Sequence, residues 1–258
     1  MNPTEQIATW LTTAQRGVVF TGAGMSTESG IPDFRSPGGV WATSKPVYFD
    51  EFLASPAARY EYWRQKAVSH RDFAESQPNQ GHRILAQWER DGLVQAIITQ
   101  NIDGLHQEAG SRKVLELHGT ARWVACLDCG DRQEAGPLVE QFLREDAPPS
   151  CGKCGGLLKH ATVSFGQSLP EGVLEESIQR SRQADIFLAL GSSLIVSPAN
   201  ALPALAKQSG ARLVIINRDP TPLDAIADVV IHSEIGITLA SVEDCLKRMT
   251  GTADSSCG

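Results

Sequence analysis

The sequence predicts an α/β fold: a parallel sheet with helices on both faces, interrupted by a small cysteine-bearing module. Three observations carry this reading. Short β-rich apolar runs alternate with helix-length amphipathic stretches, the pattern of strands joined by helical crossovers. The longest apolar runs, such as Ile186–Leu190 and Leu213–Ile216, are strand-sized. Residues 121–159 then break the alternation with two C-x-x-C pairs, several glycines and prolines, and little continuous periodicity.

The elements follow in order. Residues 4–15 predict a helix with Ile7, Trp10 and Leu11 on one face, Thr4 as N-cap, and a stop at Gly17. Val18–Phe20 predicts a buried strand that runs into Thr21-Gly-Ala-Gly24. The segment SGIPDFRSPGGVW (29–41) is rich in Gly and Pro and predicts a long loop, which in a compact domain is either functional or disordered. Residues 48–73 predict a helical stretch carrying Phe52, Tyr60, Tyr62 and Trp63, and 82–90 another. Val94–Thr99 and Val114–His118 predict two more strands. After the cysteine module the alternation resumes with a strand at Ala161–Phe165, a helix at 174–183 and a strand at Asp185–Gly191. A helix at 199–207, strands at Ala211–Asn217 and Asp228–His232, and a helix at 237–249 complete it. The tail 251–258 is small and polar and is expected to fray.

Composition excludes several classes. A chain of 258 residues is one large domain or two small ones, and 41% hydrophobic with 21% charged residues is ordinary for a folded protein. No apolar run approaches the ~18 residues of a membrane span. The first residues lack a basic stretch followed by an apolar one, so no secretory signal is expected. A net charge of −7 without any Lys/Arg run argues against nucleic-acid binding. Of the six cysteines, four form the C-x-x-C pairs and two, Cys245 and Cys257, stand alone. That usage fits a reduced, cytoplasmic protein with four thiolates on one metal better than a disulfide scaffold.

In such sheets, ligands bind beyond the carboxyl ends of the strands. Those ends here read Gly22-Ala-Gly24, Gln100-Asn-Ile-Asp103, His118-Gly119, Gly191-Ser-Ser193 and Asn217-Arg-Asp219, which would line one crevice. Gly22-x-Gly24 lets a backbone approach a diphosphate, but Thr27 stands where a dinucleotide fingerprint has its third glycine, so a tight turn is an equal reading. Cys126, Cys129, Cys151 and Cys154 have the spacing of a four-cysteine zinc ribbon. All four positions being cysteine leaves no open coordination site, so the ion is expected to be structural. His118 is either a functional or a structural histidine. Asn101 and Asp103 either serve a ligand or cap the next helix. Asp33 and Arg35 would pass for a surface ion pair.

Taken together, GAGMSTESGIPDFRSPGGVW, TQNIDGLH, LELHGT, the two C-x-x-C pairs, CGGLLKHATVSFGQSLP, GSSLIVSPA and INRDPTPLD resemble the sirtuin family, the NAD-dependent protein lysine deacylases of bacterial or archaeal type. They occur in the family's order from Gly22 to Asp224. The resemblance implies an inverted Rossmann-like domain (1–36, 74–120 and 160–250), with a helical module at 37–73 and a zinc-ribbon module at 121–159. NAD, consumed as co-substrate, and an acyl-lysine peptide would meet between them.

By the same resemblance Ala23, Gly24, Asp33, Phe34 and Arg35, after Gly22, belong to the loop over NAD. Gln100, Asn101, Ile102 and Asp103 line the nicotinamide pocket, with Asn101 and Asp103 gripping the carboxamide and Phe34 shielding the ribose from water. Gly191, Ser192, Ser193, Asn217, Arg218 and Asp219 hold the adenosine end, with Ile235 near the adenine. Val163, Ser164, Phe165 and Gly166, with Ser193–Ile195 around Leu194, sandwich the peptide as an added strand. His118 is the general base, and a neutral imidazole of ordinary pKa ~6.5 suits that work at pH 7.

Two features concern the acyl group. Proline often follows Lys159 in the family, and here His160 does. Members that prefer succinyl or malonyl groups carry Tyr-x-x-Arg. Neither Trp63-Arg-Gln-Lys66 nor Glu61-Tyr-Trp-Arg64 restores that pair, so acetyl is expected first. Mono-ADP-ribosyl transfer and a non-catalytic NAD-sensing protein are the alternatives.

Overall fold

The computed structural model describes residues 2–33 and 45–251. Phe34, Arg35, residues 37–44 of the expected helical module, and the tail from 252 with Cys257 lie outside the described residues. Helix α1 spans Pro3–Thr13, and Asn2 caps it instead of the expected Thr4. The Asn2 side chain accepts from Thr4 N–H while Glu5 reaches back to the Asn2 amide, and Pro3 occupies a first-turn position that needs no N–H. Strand β1 is Gly17–Thr21, followed by two short 3-10 turns at Ala23–Met25 and Thr27–Ser29.

The helical stretch expected over 48–73 is two helices, α2 (Phe49–Ala54) and α3 (Pro56–Glu75). Ser55 ends the first and caps the second through Ala58 N–H, and Pro56 starts the second where its ring costs nothing. Then come α4 (Gln80–Arg90), β2 (Ala96–Thr99), the single turn α5 (Leu105–Glu108) and β3 (Val114–Glu116). The cysteine module holds β4 (Gly119–Cys126), β5 (Arg132–Glu134), α6 (Ala135–Glu145) and β6 (Leu158–Thr162). The chain finishes with α7 (Glu171–Gln183), β7 (Ile186–Leu190), α8 (Ala201–Gln208), β8 (Arg212–Ile216), β9 (Val229–Ile231) and α9 (Ile235–Thr250).

Six strands form one parallel sheet in the order β3-β2-β1-β7-β8-β9, and the other three form a sheet in the order β5-β4-β6. With β4–β6 set aside, the large sheet has the 3-2-1-4-5-6 order of a doubly wound dinucleotide fold. One expected element belongs elsewhere. The strand read at Ala161–Phe165 lies at 158–162 and pairs antiparallel with β4 in the small sheet, not in the parallel one. Its apolar composition carries no information on which sheet it joins.

Alternation along each parallel strand divides the core. Val19, Ile97, Leu188 and Val214 face one layer, against Ile7 and Leu11 of α1, Leu85 and Trp88 of α4, and Leu239 and Val242 of α9. Val18, Phe20, Phe187, Ala189 and Ile215 face the other, against Leu202 and Ala206 of α8 and Leu174 and Ile178 of α7. A third cluster joins α2, α3 and α6 to the small sheet through Phe52, Tyr62, Trp63, Val124, Leu138, Phe142 and Leu158. Among the described residues no helix is long and apolar enough to cross a membrane.

Leu188 is wholly buried in the central strand β7. Replacing it with alanine is expected to cost about 2–5 kcal/mol through lost transfer energy and the cavity left behind. Urea unfolding followed by far-ultraviolet circular dichroism measures this, and a loss under 1 kcal/mol would contradict the packing described.

Candidate active site

Strand order reverses between β1 and β7, and the loops leaving these two strands meet there. Gly22 N–H donates to Leu190 O (3.0 Å) and Gly24 N–H to Gly191 O (2.8 Å). Gly191 sits at φ +60°, and a Cβ on it would lie 2.4 Å from the Met25 nitrogen. Only glycine lets the two turns close on each other.

Around this point opens one cleft of about 1620 Å³. Its wall carries Ala23, Gly24 and Asp33, then Gln100, Asn101 and Ile102, then His118, Gly191, Ser192, Ser193, Asn217, Arg218, Asp219 and Ile235. All five chemistry-bearing strand ends therefore converge. Gly22 and Asp103 do not line the cleft, and neither does Leu194.

His118 is half-buried on that wall. Its Nδ1 lies 3.0 Å from the Gln100 carbonyl oxygen. A carbonyl only accepts, so the neutral ring carries its proton on Nδ1 and leaves Nε2 bare. Burial holds the imidazole below its ordinary pKa, against a smaller opposing effect of the Gln100 bond. The ring is thus a neutral base at pH 7. Gly119 follows at φ +69°, where a Cβ would sit 2.0 Å from the Ala161 carbonyl oxygen, and Val163 N–H donates to His118 O (2.9 Å). These contacts tie the His-Gly turn to the small sheet.

Asn101 is buried beside it. Its side-chain amide donates to Gly22 O (3.0 Å) and to Ser26 Oγ (3.1 Å), so its Oδ1 is the atom left to meet a ligand. Asp103 is one layer further back. Its carboxylate accepts from Ser26 O–H (2.8 Å) and from Leu105 N–H (2.9 Å), the first amide of α5, from the position before the Gly104 N-cap. Burial raises its pKa, while these donors and Arg122 oppose the rise. Asp103 thus holds the entry to α5 without being its N-cap. Sequence reading passed over Ser26, which joins Asn101 to Asp103. Its only sequence signal is its place two residues after the glycine turn.

Gln100 accepts through Oε1 from Ser192 O–H (2.8 Å), bracing the second strand end against the fourth. Asn217 donates to Asp219 O (2.7 Å), and Arg218 pairs with Asp219 (3.0 Å) on an exposed edge. Leu194, expected against the peptide, adopts φ +55° and packs its side chain into the core, so only its main chain can face a ligand. Val163, Ser164, Phe165 and Gly166 do line the cleft, and Phe165 stacks obliquely on Tyr48 (5.6 Å).

At the helical end of the cleft Arg64 and Lys66, one from each of the two registers, line the wall, while Glu61 and Trp63 do not. Trp63 is wholly buried and donates to Leu158 O, and Glu61 forms a two-pronged pair with Arg64. Tyr62 and Lys66, one turn apart, share the wall, with the Lys66 ammonium 5.5 Å from the Tyr62 ring centre. Burial lowers Lys66 to about 8, which still leaves it mostly charged at pH 7. His160 packs its ring on Trp63 (5.0 Å), and burial keeps it neutral.

The sulfur atoms of Cys126, Cys129, Cys151 and Cys154 lie within 4.8 Å of one another. The Cys126–Cys154 and Cys129–Cys151 separations are 3.5 and 3.7 Å. Thiolates on a tetrahedral zinc at ~2.3 Å are about 3.8 Å apart, so the four fit one ion and no pair is bonded as a disulfide. Each knuckle closes alike: Gly130 N–H returns to Cys126 O and Gly155 N–H to Cys151 O. Zinc bound there has no open position and serves structure.

Removal of that ion with a strong chelator is expected to unfold the small module without melting the parallel sheet. Metal analysis should find one zinc per chain. Limited proteolysis should then cut between residues 126 and 158, and unchanged protease resistance would contradict the structural role.

Comparison with known proteins agrees with this geometry. The Sir2 family profile matches residues 22–198. An NAD-dependent protein deacetylase of Rhodopseudomonas palustris is 49% identical over 91% of this chain and 94% of its own length. NAD-dependent protein deacetylase 1 of Geobacillus kaustophilus is 48% identical over 94% of this chain and 98% of its own. A solved structure of Sir2 with a p53 peptide and NAD+ superposes with a TM-score of 0.86 at 35% identity, covering 96% of this chain and 98% of that one. Another, of Sir2 bound to an acetylated peptide, gives 0.86 at 34% identity, covering 97% and 99%. With a converging cleft, a four-cysteine cluster and relatives of this similarity along nearly its whole length, the chain belongs to the Sir2 family.

Proposed function

We propose that His118 is the general base in the NAD-dependent protein deacylation that this chain carries out on acyl-lysine. The observation that carries the assignment is a neutral imidazole whose Nδ1–H is spent on Gln100 O, leaving Nε2 bare on the cleft wall. When bound, NAD would supply the acyl acceptor: with one water consumed, the acyl group passes from lysine to ADP-ribose, and nicotinamide and the free lysine amine are released. The chain's residues place the partners and move one proton. His118 Nε2 would take the proton released by the ribose hydroxyl as it accepts the acyl group, and neutral imidazole is the form able to do so.

Asn101 offers Oδ1 to the nicotinamide carboxamide, because both its amide hydrogens are already engaged. Asp103 acts through Ser26, fixing the hydroxyl on which Asn101 leans. Gly191, Ser192, Ser193, Asn217 and Asp219, with Ile235, receive the adenosine end. Val163–Gly166 and the main chain at Ser193–Ile195 receive the peptide as an added strand. Acetyl is the first acyl group: Arg64 is committed to Glu61, and the Tyr62/Lys66 pair offers no guanidinium fork. Four cysteines gathered on one candidate metal site, a use of thiols typical of reducing compartments, support a cytoplasmic location.

His118→Ala should lower kcat by about 10²-fold or more, the usual weight of a general base, while NAD binding by titration calorimetry persists. Near-normal formation of acyl-ADP-ribose, read by mass, would remove His118 from the role. Burial disfavours the charged ring, so activity should hold through pH 7 and fall only at a pH below the ordinary histidine pKa. A kcat/KM profile falling already at pH 7 would contradict it.

A further inference from the structure

Behind the Asn101 wall lie two buried histidines that the reaction does not use, His82 on α4 and His106 on α5. Their rings meet nearly edge to face, 4.8 Å between centres. Each keeps one ring nitrogen in the interior without a partner, Nε2 of His82 and Nδ1 of His106. Counting protons decides what those two atoms are. Thr21 spends its hydroxyl hydrogen on Thr99 Oγ1 (2.8 Å), so at its 3.0 Å contact with His106 Nε2 it accepts. His106 therefore carries its proton on Nε2, and its Nδ1 is a bare acceptor. Asn79 N–H donates to His82 Nδ1 (3.3 Å), so His82 carries its proton on Nε2 as a free donor. Burial keeps both rings neutral. The two unpartnered atoms are thus complementary, on adjacent rings.

Each ring also ends a hydrogen-bonded chain that reaches the cleft. From His106 the chain runs through Thr21 to Thr99, whose Oγ1 also holds Asn101 N–H (3.0 Å). From His82 it runs to Asn79, which caps α4 and whose side chain donates to Met25 O (2.8 Å). Met25 closes the 3-10 turn behind Gly24.

We propose that one buried water bridges His82 Nε2–H and His106 Nδ1, accepting from the first and donating to the second, and that His106 is thereby a positioning residue for the nicotinamide end of the cleft. The bridge joins the two chains into one. It holds the Asn101 backbone and the Met25 turn, which come from different strands, at a constant separation. Neither ring lines the cleft, so the pair acts only through Asn101 and the glycine turn. The inference rests on Asn101 meeting NAD, as assigned above.

Two substitutions separate positioning from bulk packing. His106→Leu keeps volume and breaks both bonds. His106→Gln keeps a donor for Thr21 and an acceptor for the bridging water. His106→Leu is expected to raise KM for NAD about tenfold, the scale of one buried hydrogen bond, with peptide KM unchanged and kcat changed less. His106→Gln should restore most of the loss. On the unsubstituted chain, long-range nitrogen–proton spectra of the imidazoles at pH 7 should show both rings neutral and protonated at Nε2. A proton on His106 Nδ1, or an NAD KM in His106→Leu equal to that of the unsubstituted chain, overturns the proposal. If His106→Leu does not fold, the spectra decide alone. Absence of NAD-dependent deacylation in the unsubstituted chain would sink the functional assignment instead, so the two failures are distinguishable.

Discussion

The molecule is organised around one backbone contact. Gly24 N–H meets Gly191 O where the sheet changes its winding direction, and side chains are absent from both positions. Because the first and fourth strands of the large sheet can end this close, the loops after them open toward the same side. The remaining strand ends are carried to that side by parallel pairing. Gln100 leaves β2 next to β1, and His118 follows β3 next to β2. Each strand register sets the height of one cleft residue, so packing of the sheet and geometry of the site are the same quantity seen twice.

Burial sets the chemistry of that site more than charge does. His118 is neutral because taking an imidazolium out of water is costly, and the Gln100 carbonyl then chooses which nitrogen keeps the proton. Asp103, at the strand end that carries Gln100, has its two oxygens engaged by Ser26 and Leu105. Its pKa rises with burial rather than falling beside a cation. A site built from oriented dipoles and neutral groups keeps the same hydrogen bonds through a proton transfer, because little rearrangement accompanies the change of charge.

The small module solves a separate problem. β4, β5 and β6 make too small a sheet to bury a core of their own, and the chain supports them from two directions. The four cysteines close one end, and Trp63, Phe142 and Leu158 pack the other against α3 and α6. The module is also coupled to the reaction centre. Gly119 is both the residue after His118 and the first residue of β4, facing Thr162 of β6. Loss of the ion would therefore loosen the backbone that carries His118.

The amino-acid sequence by itself determined the fold class, the strand-end motifs, the metal set and the family resemblance. Each is written locally: apolar runs of strand length, glycines at strand ends, cysteines two apart. Single elements were legible to within a few residues, as in Ile186–Leu190 and Arg212–Ile216. Tertiary structure decided what depends on partners distant in the chain. The 158–162 strand reads like any other, but its partner is β4, so it joins the small sheet. Asn2 outcompetes Thr4 as a cap because Glu5 stands three residues after it. Leu194 lies inside a matching motif, but a left-handed backbone turns its side chain inward. The setting back of Asp103 behind Ser26 and the meeting of His82 with His106 were equally invisible. Hydrogen-bond partners 77 residues apart for Ser26 and Asp103 are chosen by packing and not by spacing.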